Sequence, residues 1–182
     1  MGKDSILAEL RHLDRPEYGF PVNATTRERR LSEQEGVDYF FVTLDEFEHQ
    51  VERGDFLEHA MVYGQHKGVL KEQVRSILTS SRSALLRTDV QGARYIKSIV
   101  PEAVTIFICP PSLDELEHRM TSRGGDSKEQ VSLRLKHARE ELDASGDFDY
   151  VVINDDLDHC LEEIQAIIEF EASREGRTPT IV

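Results

Sequence analysis

The stretch that decides the fold runs from residue 104 to residue 120 and reads VTIFICPPSLDELEHRM. Its first five residues are apolar or β-branched, which is typical of a strand that is buried on both faces. After a Pro-Pro-Ser turn, apolar residues recur at Leu113, Leu116 and Met120, a spacing that places them on one face of a helix. A buried strand that leads directly into an amphipathic helix indicates the α/β class.

The same alternation continues on both sides of this stretch. Three further short apolar runs predict buried strands at 20–22, 84–88 and 150–153. Helical periodicity occurs at 133–138 and again at 161–168. Because strands that alternate with helices need crossover connections, the pattern predicts a parallel sheet flanked by helices.

One segment, residues 30–79, interrupts the alternation with several short apolar runs of its own. We expect it to form a small α+β subdomain, inserted into a core made of residues 1–29 and 80–173. Within that core, a glycine pair predicts a hinge between two helices, and a helical lid would span about residues 119–134. We expect residues 174–182 to form a flexible tail.

The charge and composition of the 182-residue chain exclude several classes of protein. Asp and Glu number 35 against 22 Lys and Arg, and the resulting net charge of −13 repels phosphate backbones and anionic lipid headgroups. No apolar run approaches the roughly 20 residues that span a bilayer. We therefore expect no nucleic-acid partner and no membrane association. Cys109 and Cys160 lie in separate apolar segments, which predicts two buried thiols in a reducing cytoplasm.

Near its start the chain carries Gly2-Lys3-Asp4-Ser5, directly before the apolar residues of a predicted helix. This order is typical of the end of a P-loop, where a lysine and the first amides of a helix hold phosphate. By itself the Gly-Lys pair is weak evidence. The earlier glycine of the pattern and the strand before it would lie upstream of Met1, and Asp4 stands where Ser or Thr is expected.

Two groups of arginines stand out in this acidic chain. Arg27 and Arg30 follow the predicted strand at 20–22, and their guanidinium groups suit a phosphate dianion at the carboxyl edge of a parallel sheet. A solvated basic turn is the alternative. The second group flanks the glycine hinge, where a phosphoryl-transfer lid needs cations, although helix-surface ion pairs with nearby glutamates explain it equally well. Its members are Arg119, Arg123, Arg134 and Arg139.

Acidic and polar side chains also lie beside apolar strand ends, at Glu58, Asp89 and Asn154. A carboxylate at a strand end can bind Mg²⁺ or accept hydrogen bonds from a base or a sugar. Asp156 follows the last predicted strand, and we interpret it as the N-cap of the next helix.

Taken together, these motifs resemble guanylate kinase, the P-loop kinase that phosphorylates GMP with ATP. The resemblance extends from Gly2 to about Glu171, with the motifs in the family's order and spacing. It implies a P-loop kinase core whose first strand is missing from this chain, an inserted GMP-binding subdomain and a helical lid. The matching motifs are Ala24-Thr25-Thr26-Arg27 with Arg30, Gly36-Val37-Asp38-Tyr39-Phe40-Phe41, Gly54-Asp55-Phe56-Leu57-Glu58, Asp89-Val90-Gln91-Gly92-Ala93, Pro110-Pro111-Ser112, Arg123-Gly124 and Val152-Ile153-Asn154-Asp155-Asp156.

For the acceptor nucleotide, the resemblance implies that Arg27, Arg30 and Tyr39 contact the GMP phosphate. Glu58 would read guanine, because its carboxylate can accept hydrogen bonds from N1–H and from the exocyclic amine. Asn23 takes the place of a family serine beside the base.

For the donor nucleotide, the resemblance implies that Lys3 follows the β- and γ-phosphates of ATP and that the lid arginines clamp the phosphates on closure. The implied catalytic residues are Lys3, Arg119, Arg123 and Arg134. The implied ATP contacts are Gly2, Lys3, Asp4, Ser5 and Asn154, the last of which matches a family contact to adenine. The implied cofactor is Mg²⁺ accompanying ATP, with Asp4 and Asp89 as its ligands and Asp89 also near the bound GMP.

Three departures from the family pattern bear on these assignments. Where most members have Asn-Tyr-Tyr-Gly-Thr or -Ser, this chain has Gln65-His66-Lys67-Gly68-Val69, and we expect Lys67 to replace the lost tyrosine as a cation toward phosphate. Arg87 occupies a place that is usually acidic, which affects the environment of Mg²⁺ and guanosine. The missing first strand would leave two rows of backbone groups without ladder partners.

The resemblance implies a cytoplasmic enzyme that transfers the γ-phosphoryl group of ATP to GMP, giving ADP and GDP. Because a chain that starts at Met1 keeps little of the glycine-rich loop, we expect it to be a weak kinase and a longer form to be the active one. One alternative is a catalytically inactive guanylate kinase-like module that binds GMP or phosphorylated peptides. Another is a kinase of a different phosphorylated acceptor, for which Glu58 would be unnecessary. The sequence does not indicate an oligomeric state.

Overall fold

The computed structural model describes residues 3–31, 33–62, 64–122 and 128–174, without the side chains of residues 4, 62, 128–130 and 134. It forms two compact units. The terminal unit contains the described residues of Met1–Leu13 and Val104–Arg177, and the central unit contains those of Asp14–Ala103. This division follows backbone contacts, so the predicted kinase core, GMP-binding subdomain and lid stay predictions.

Helices and short strands alternate along most of the chain. The helices are α1 (Lys3–His12), α2 (Leu44–Glu52), α3 (Lys71–Thr79), α4 (Val90–Ile99), α5 (Leu113–Ser122), α6 (Lys128–Asp143) and α7 (Leu157–Ser173), with a 3₁₀ turn at Ser145–Asp147. The strands are β1 (Tyr18–Gly19), β2 (Asn23–Thr25), β3 (Phe40–Phe41), β4 (Phe56–Val62), β5 (Gln65–Leu70), β6 (Ser83–Ala84), β7 (Ile106–Cys109) and β8 (Tyr150–Ile153).

The central unit contains a four-stranded sheet with the strand order β3-β2-β5-β4. β5 runs antiparallel to both β2 and β4, whereas β2 and β3 are parallel. The register places Val69 of β5 opposite Asn23 on one side and opposite Glu58 on the other. Asn23, Val69 and Glu58 therefore lie in one row across three strands.

An aromatic cluster holds α2 against this sheet. Thr43 begins the helix with a capping box, in which its hydroxyl accepts from the Glu46 N–H and the Glu46 carboxylate accepts from the Thr43 N–H. The cap sets the start of the helix so that Phe47 is buried against Phe56, with their ring centroids 4.5 Å apart. Ala24 of β2 belongs to the same buried cluster, which thus anchors the strand that carries Asn23.

The parallel strands predicted for an α/β fold are present in both units, where β1 pairs with β6 and β7 pairs with β8. A strand at 150–153 is confirmed as β8, but its predicted burial is wrong, because Val151 and Ile153 are half exposed on one face. The strand predicted at 104–108 begins and ends slightly later, as β7. The prediction of a strand at 20–22 is wrong, because pairing occurs on either side of it and Pro21 has no N–H to donate. The run at 84–88 is paired only at its start, in β6.

In the terminal unit, α7 packs against β8 and α1. Asp156 accepts hydrogen bonds from the N–H groups of Asp158 and His159, so the predicted N-cap of α7 is confirmed. Cys160 of this helix is buried as predicted, and burial raises the pKa of its thiol to about 11. Cys109 lies at the end of β7 and is only half-buried, so the prediction of a buried thiol is wrong there.

No helix within the described residues combines the length and the apolar composition that crossing a bilayer requires.

Candidate active site

A buried carboxylate, Glu58, lies on β4 of the central unit with only 8% of its surface exposed. The Thr88 hydroxyl donates a 3.2 Å hydrogen bond to its Oε1. The backbone of Gly92 passes so close that a Cβ atom built there would lie 2.8 Å from Oε2 and 2.0 Å from the Thr88 Oγ1. The glycine therefore leaves just enough room for the carboxylate, which is held in place as a buried hydrogen-bond acceptor.

Asn23 lies in the same row of the sheet as Glu58. Its side-chain amide donates to the backbone carbonyl of Arg87 over 3.4 Å. Residues 87–89, which lead from β6 to α4, are thus attached to Asn23 at one position and to Glu58 at the next. The two residues that the resemblance assigns to the base are brought together by the sheet.

A second group of side chains surrounds the ring of Tyr39, just before β3. The Arg27 Cζ lies 5.2 Å from the ring centroid, the Arg87 Cζ 5.3 Å and the Lys67 Nζ 5.9 Å. Arg87 also donates a short hydrogen bond from Nη2 to the Tyr39 hydroxyl. The structure therefore brings together three residues that were assigned to the acceptor phosphate, Arg27, Tyr39 and Lys67, and adds Arg87 to them.

Arg27 is held in place by Glu33. Its two terminal nitrogens each donate a 2.7 Å hydrogen bond to one oxygen of the Glu33 carboxylate, and both side chains are largely buried, with 12% and 15% of their surfaces exposed. The Arg30 N–H donates to the same carboxylate over 2.9 Å, while the Arg30 side chain is exposed. The hydrogen bonds from Arg27 lower the pKa of Glu33 to about 2. Glu33 is therefore ionised at neutral pH and orients the Arg27 fork.

Asp89 acts as the N-cap of α4, since its Oδ1 accepts a 2.8 Å hydrogen bond from the Gly92 N–H. This contact commits one carboxylate oxygen to the fold. The described residues contain no group of three or more His, Cys, Asp or Glu side chains that could hold a metal ion. With a guanidinium two residues earlier at Arg87, the surroundings of Asp89 do not fit a preformed Mg²⁺ site, and its assignment as a ligand remains a prediction.

In the terminal unit, Arg119 of α5 contacts the end of β8. It donates from Nε to the Glu115 carboxylate over 2.7 Å and from Nη1 to the Asn154 backbone carbonyl over 2.9 Å. The contact with Glu115 is a helix-surface ion pair, which the sequence left open as the alternative to a function in the lid. The binding of phosphate by Arg119 stays a prediction. Asn154 is 5% exposed, and its N–H donates to the Cys109 carbonyl. Because Arg119 donates to the Asn154 carbonyl, these two residues are in contact.

Lys3 and Ser5 lie in the first turn of α1, the former half-buried and the latter exposed. The structure does not describe the side chains of the other residues that the resemblance assigns to ATP and to the lid. Gly2 and Arg123 are outside the described residues, and the side chains of Asp4 and Arg134 are outside the described side chains.

Four residues of the central unit were missing from the predicted site: Glu33, Arg87, Thr88 and Gly92. The sequence carried a signal for three of them, since Arg87 stands at a place that is usually acidic in the family. Glu33 follows Arg27 by six residues in a turn rich in arginine, and Gly92 is the glycine of the Asp-Val-Gln-Gly motif. The contact between Thr88 and Glu58 joins positions 30 residues apart, and local sequence does not indicate it.

Comparison with known proteins identifies the family of this chain. The family model described as guanylate kinase matches residues 1–171. A guanylate kinase of Synechococcus sp. (strain JA-3-3Ab) is 42% identical over 168 residues, which cover 92% of this chain and 77% of that protein. One from Hahella chejuensis is 42% identical over 173 residues, covering 95% and 83%. The crystal structure of guanylate kinase from Anaplasma phagocytophilum matches with a TM-score of 0.81 at 31% identity, covering 94% of this chain and 83% of the other. The chain therefore belongs to the guanylate kinase family.

Proposed function

We propose that the central unit of this guanylate kinase holds GMP and that residues of the terminal unit hold ATP. The enzyme is a nucleoside monophosphate kinase, which transfers the γ-phosphoryl group of ATP to GMP and yields ADP and GDP. The observation that carries the proposal is the arrangement in the central unit, which contains both a buried carboxylate and a cluster of cations around a phenol.

Guanine is recognised by Glu58 in this proposal. Its buried carboxylate accepts hydrogen bonds from the guanine N1–H and exocyclic amine, and adenine has no matching pair of donors on that edge. Asn23 lies in the same row as Glu58, on the other side of Val69, and we assign it to the base as well. A hydrogen bond to a charged group contributes about 1.5–3 kcal/mol, so the arrangement supports a strong preference for GMP over AMP.

The phosphate of GMP is held by the side chains around Tyr39. Arg27 offers its positive charge and its Nε–H, because both of its terminal nitrogens donate to Glu33, and Lys67 offers a point charge where the family usually has a tyrosine. Arg30 remains part of this proposal because its backbone is tied to Glu33, which places it at the same turn. The group matches a phosphate dianion in both charge and hydrogen-bond donors.

On the donor side, we assign Lys3, Arg119, Arg123 and Arg134 to the phosphates. Gly2, Asp4, Ser5 and Asn154 complete the proposed ATP contacts. Phosphoryl transfer needs the two nucleotides in line and the developing negative charge neutralised, and lysine and arginine side chains supply that charge. Asn154 is buried at the end of β8, which suits a fixed contact with a base.

Mg²⁺ would accompany ATP and neutralise charge on its phosphates. Since the surroundings of Asp89 do not fit a preformed metal site, no step here depends on a metal held by the protein. We also propose a cytoplasmic location, which the two free thiols at Cys109 and Cys160 support.

The test is GMP-dependent formation of ADP from ATP, measured in parallel with AMP as the acceptor. We expect turnover with GMP, and in Glu58→Gln we expect the preference for GMP over AMP to fall by at least about tenfold. Glu48→Gln, on the exposed face of α2, is the matched control and should keep the preference. Equal use of AMP by the parent enzyme would contradict the role of Glu58, and GMP binding without ADP formation would contradict the kinase.

A further inference from the structure

We infer that Arg87 is a direct ligand of the acceptor phosphate and contributes to the selection of a nucleoside monophosphate dianion. The inference rests on the proposed function, in which GMP occupies the central unit. It concerns a residue that the sequence pattern assigned to neither nucleotide and that stands where the family usually has an acidic side chain.

The first observation is the position of Arg87. Its guanidinium reaches the Tyr39 hydroxyl from the segment between β6 and α4, whereas Arg27 follows β2 and Lys67 lies on β5. Three separate parts of the chain thus deliver a cation to within 6 Å of one ring centroid. The Arg87 guanidinium therefore lies at the ring of a residue that is assigned to the acceptor phosphate.

The second observation is the charge of the cluster. Arg27, Lys67 and Arg87 each carry one positive charge, and Glu33, the carboxylate paired with Arg27, carries one negative charge. The cluster thus brings three cationic side chains to one ring, and Glu33 is paired with the first of them. A phosphate monoester carries about −1.5 to −2 at neutral pH, and several cations from separate parts of the chain suit such an anion.

The third observation is that hydrogen bonds fix the backbone around Arg87, so that its side chain and not those of its neighbours reaches Tyr39. The Asn23 amide donates to the Arg87 carbonyl, and the next residue, Thr88, donates to Glu58. Both contacts attach the 87–89 segment to the residues proposed to read the base. The backbone of Arg87 is therefore fixed at the guanine site, while its side chain extends to the phosphate site.

Two further functions of Arg87 would give the same static picture and must be separated from direct binding. Arg87 could act only by orienting the Tyr39 hydroxyl, or only by supporting the base site through Asn23. A direct ligand affects GMP but not guanosine, which lacks the phosphate, and its effect persists when the Tyr39 hydroxyl is removed.

The experiment measures GMP and guanosine affinities by calorimetry for the full chain and for Arg87→Met, Arg87→Lys and Arg75→Met. We expect Arg87→Met to weaken GMP binding about tenfold or more while guanosine affinity changes less than about twofold. Arg87→Lys should recover part of the loss, because it restores the charge without the fork. Arg75→Met removes an exposed arginine of α3 and should leave both affinities unchanged.

The same Arg87→Met change is then made in a Tyr39→Phe background, where we expect a further loss of GMP affinity of at least about fivefold. No further loss there, or an equal loss of guanosine affinity in the single variant, would overturn the assignment of Arg87 as a phosphate ligand. Unchanged GMP affinity in a folded Arg87→Met variant would also overturn it. If the proposed function itself is wrong, the parent protein will not distinguish GMP from AMP. That result does not depend on any Arg87 variant.

Discussion

Gly92 gives the sharpest test of the guanine site, because a single methyl group added there meets the carboxylate that is proposed to read the base. In Gly92→Ala the new Cβ would lie 2.0 Å from the Thr88 Oγ1, 2.8 Å from the Glu58 Oε2 and 3.0 Å from its Cδ. All three distances are well inside ordinary van der Waals contact, which begins near 3.4 Å. The atoms it meets are the ends of side chains, so we expect them to move while the backbone stays.

The size of the effect follows from what moves. Displacing Thr88 loses its hydrogen bond to the Glu58 carboxylate, and displacing Glu58 weakens its hydrogen bonds to guanine; a hydrogen bond to a charged group is worth about 1.5–3 kcal/mol. Alanine is favoured over glycine in a helix by about 1 kcal/mol, which offsets part of the loss in the folded protein. We therefore expect the free energy of unfolding to fall by about 0.5–2 kcal/mol and GMP affinity to fall about ten- to a hundredfold.

The assay is calorimetric titration with GMP, accompanied by thermal unfolding of the same samples. Gly146→Ala is the matched control, since no atom lies within 4 Å of the Cβ built at that glycine. A Gly92→Ala variant that bound GMP as tightly as the parent protein does would refute the reasoning, because GMP would then bind normally although the Glu58 carboxylate had been displaced. A comparable loss in Gly146→Ala would refute it as well.

Two further predictions concern the turn that contains Arg27 and Glu33, where we propose that the GMP phosphate binds. Arg27→Lys keeps the charge but removes the bidentate pairing with Glu33 that fixes the cation beside Tyr39, together with the Nε–H donor, so GMP affinity should fall about tenfold by calorimetry, whereas Arg53→Lys, at an exposed pair with Asp55, should not change it. Equal affinities in the two variants would argue against a phosphate contact at Arg27. Glu33 has a lowered pKa of about 2 in the folded protein, so its pairing stabilises the fold above the ordinary carboxyl pKa of about 4.5, and this contribution is lost as the pH falls toward 2. In melting curves recorded between pH 7 and pH 2, Glu33→Gln should therefore melt below the parent at neutral pH and approach it in acid. A constant difference across that range would contradict the ionic origin of the effect, and Glu48→Gln should follow the parent throughout.

Much of the architecture could be read from local patterns. Apolar runs identify β7 and β8 to within a residue or two, because β-branched and aromatic residues favour strands, although one face of β8 is exposed at Val151 and Ile153. The N-cap at Asp156 was also predictable, since it depends only on the next few residues of the same helix. The strand expected at 20–22 failed for a local reason too, because a proline in the run removes a ladder donor.

The pattern of motifs by itself identified the family, and it singled out Glu58 and Arg27 as candidate site residues. These follow from residue types in order along the chain, which the sequence displays directly. The spatial partners of these residues do not, because they depend on strand register and on contacts between distant segments.

The tertiary structure alone decided that Arg87 meets Tyr39 and that Thr88 meets Glu58, across 48 and 30 residues of chain. It also placed Lys67 beside the Tyr39 ring, with the pairing of Thr25 and Lys67 setting the register. Shifting that register by one residue would turn Lys67 to the other face of the sheet, although the local sequence would be unchanged. Side-chain direction in a sheet is set by pairing between distant strands, and for that reason the chemistry at Tyr39 became visible only in the folded chain.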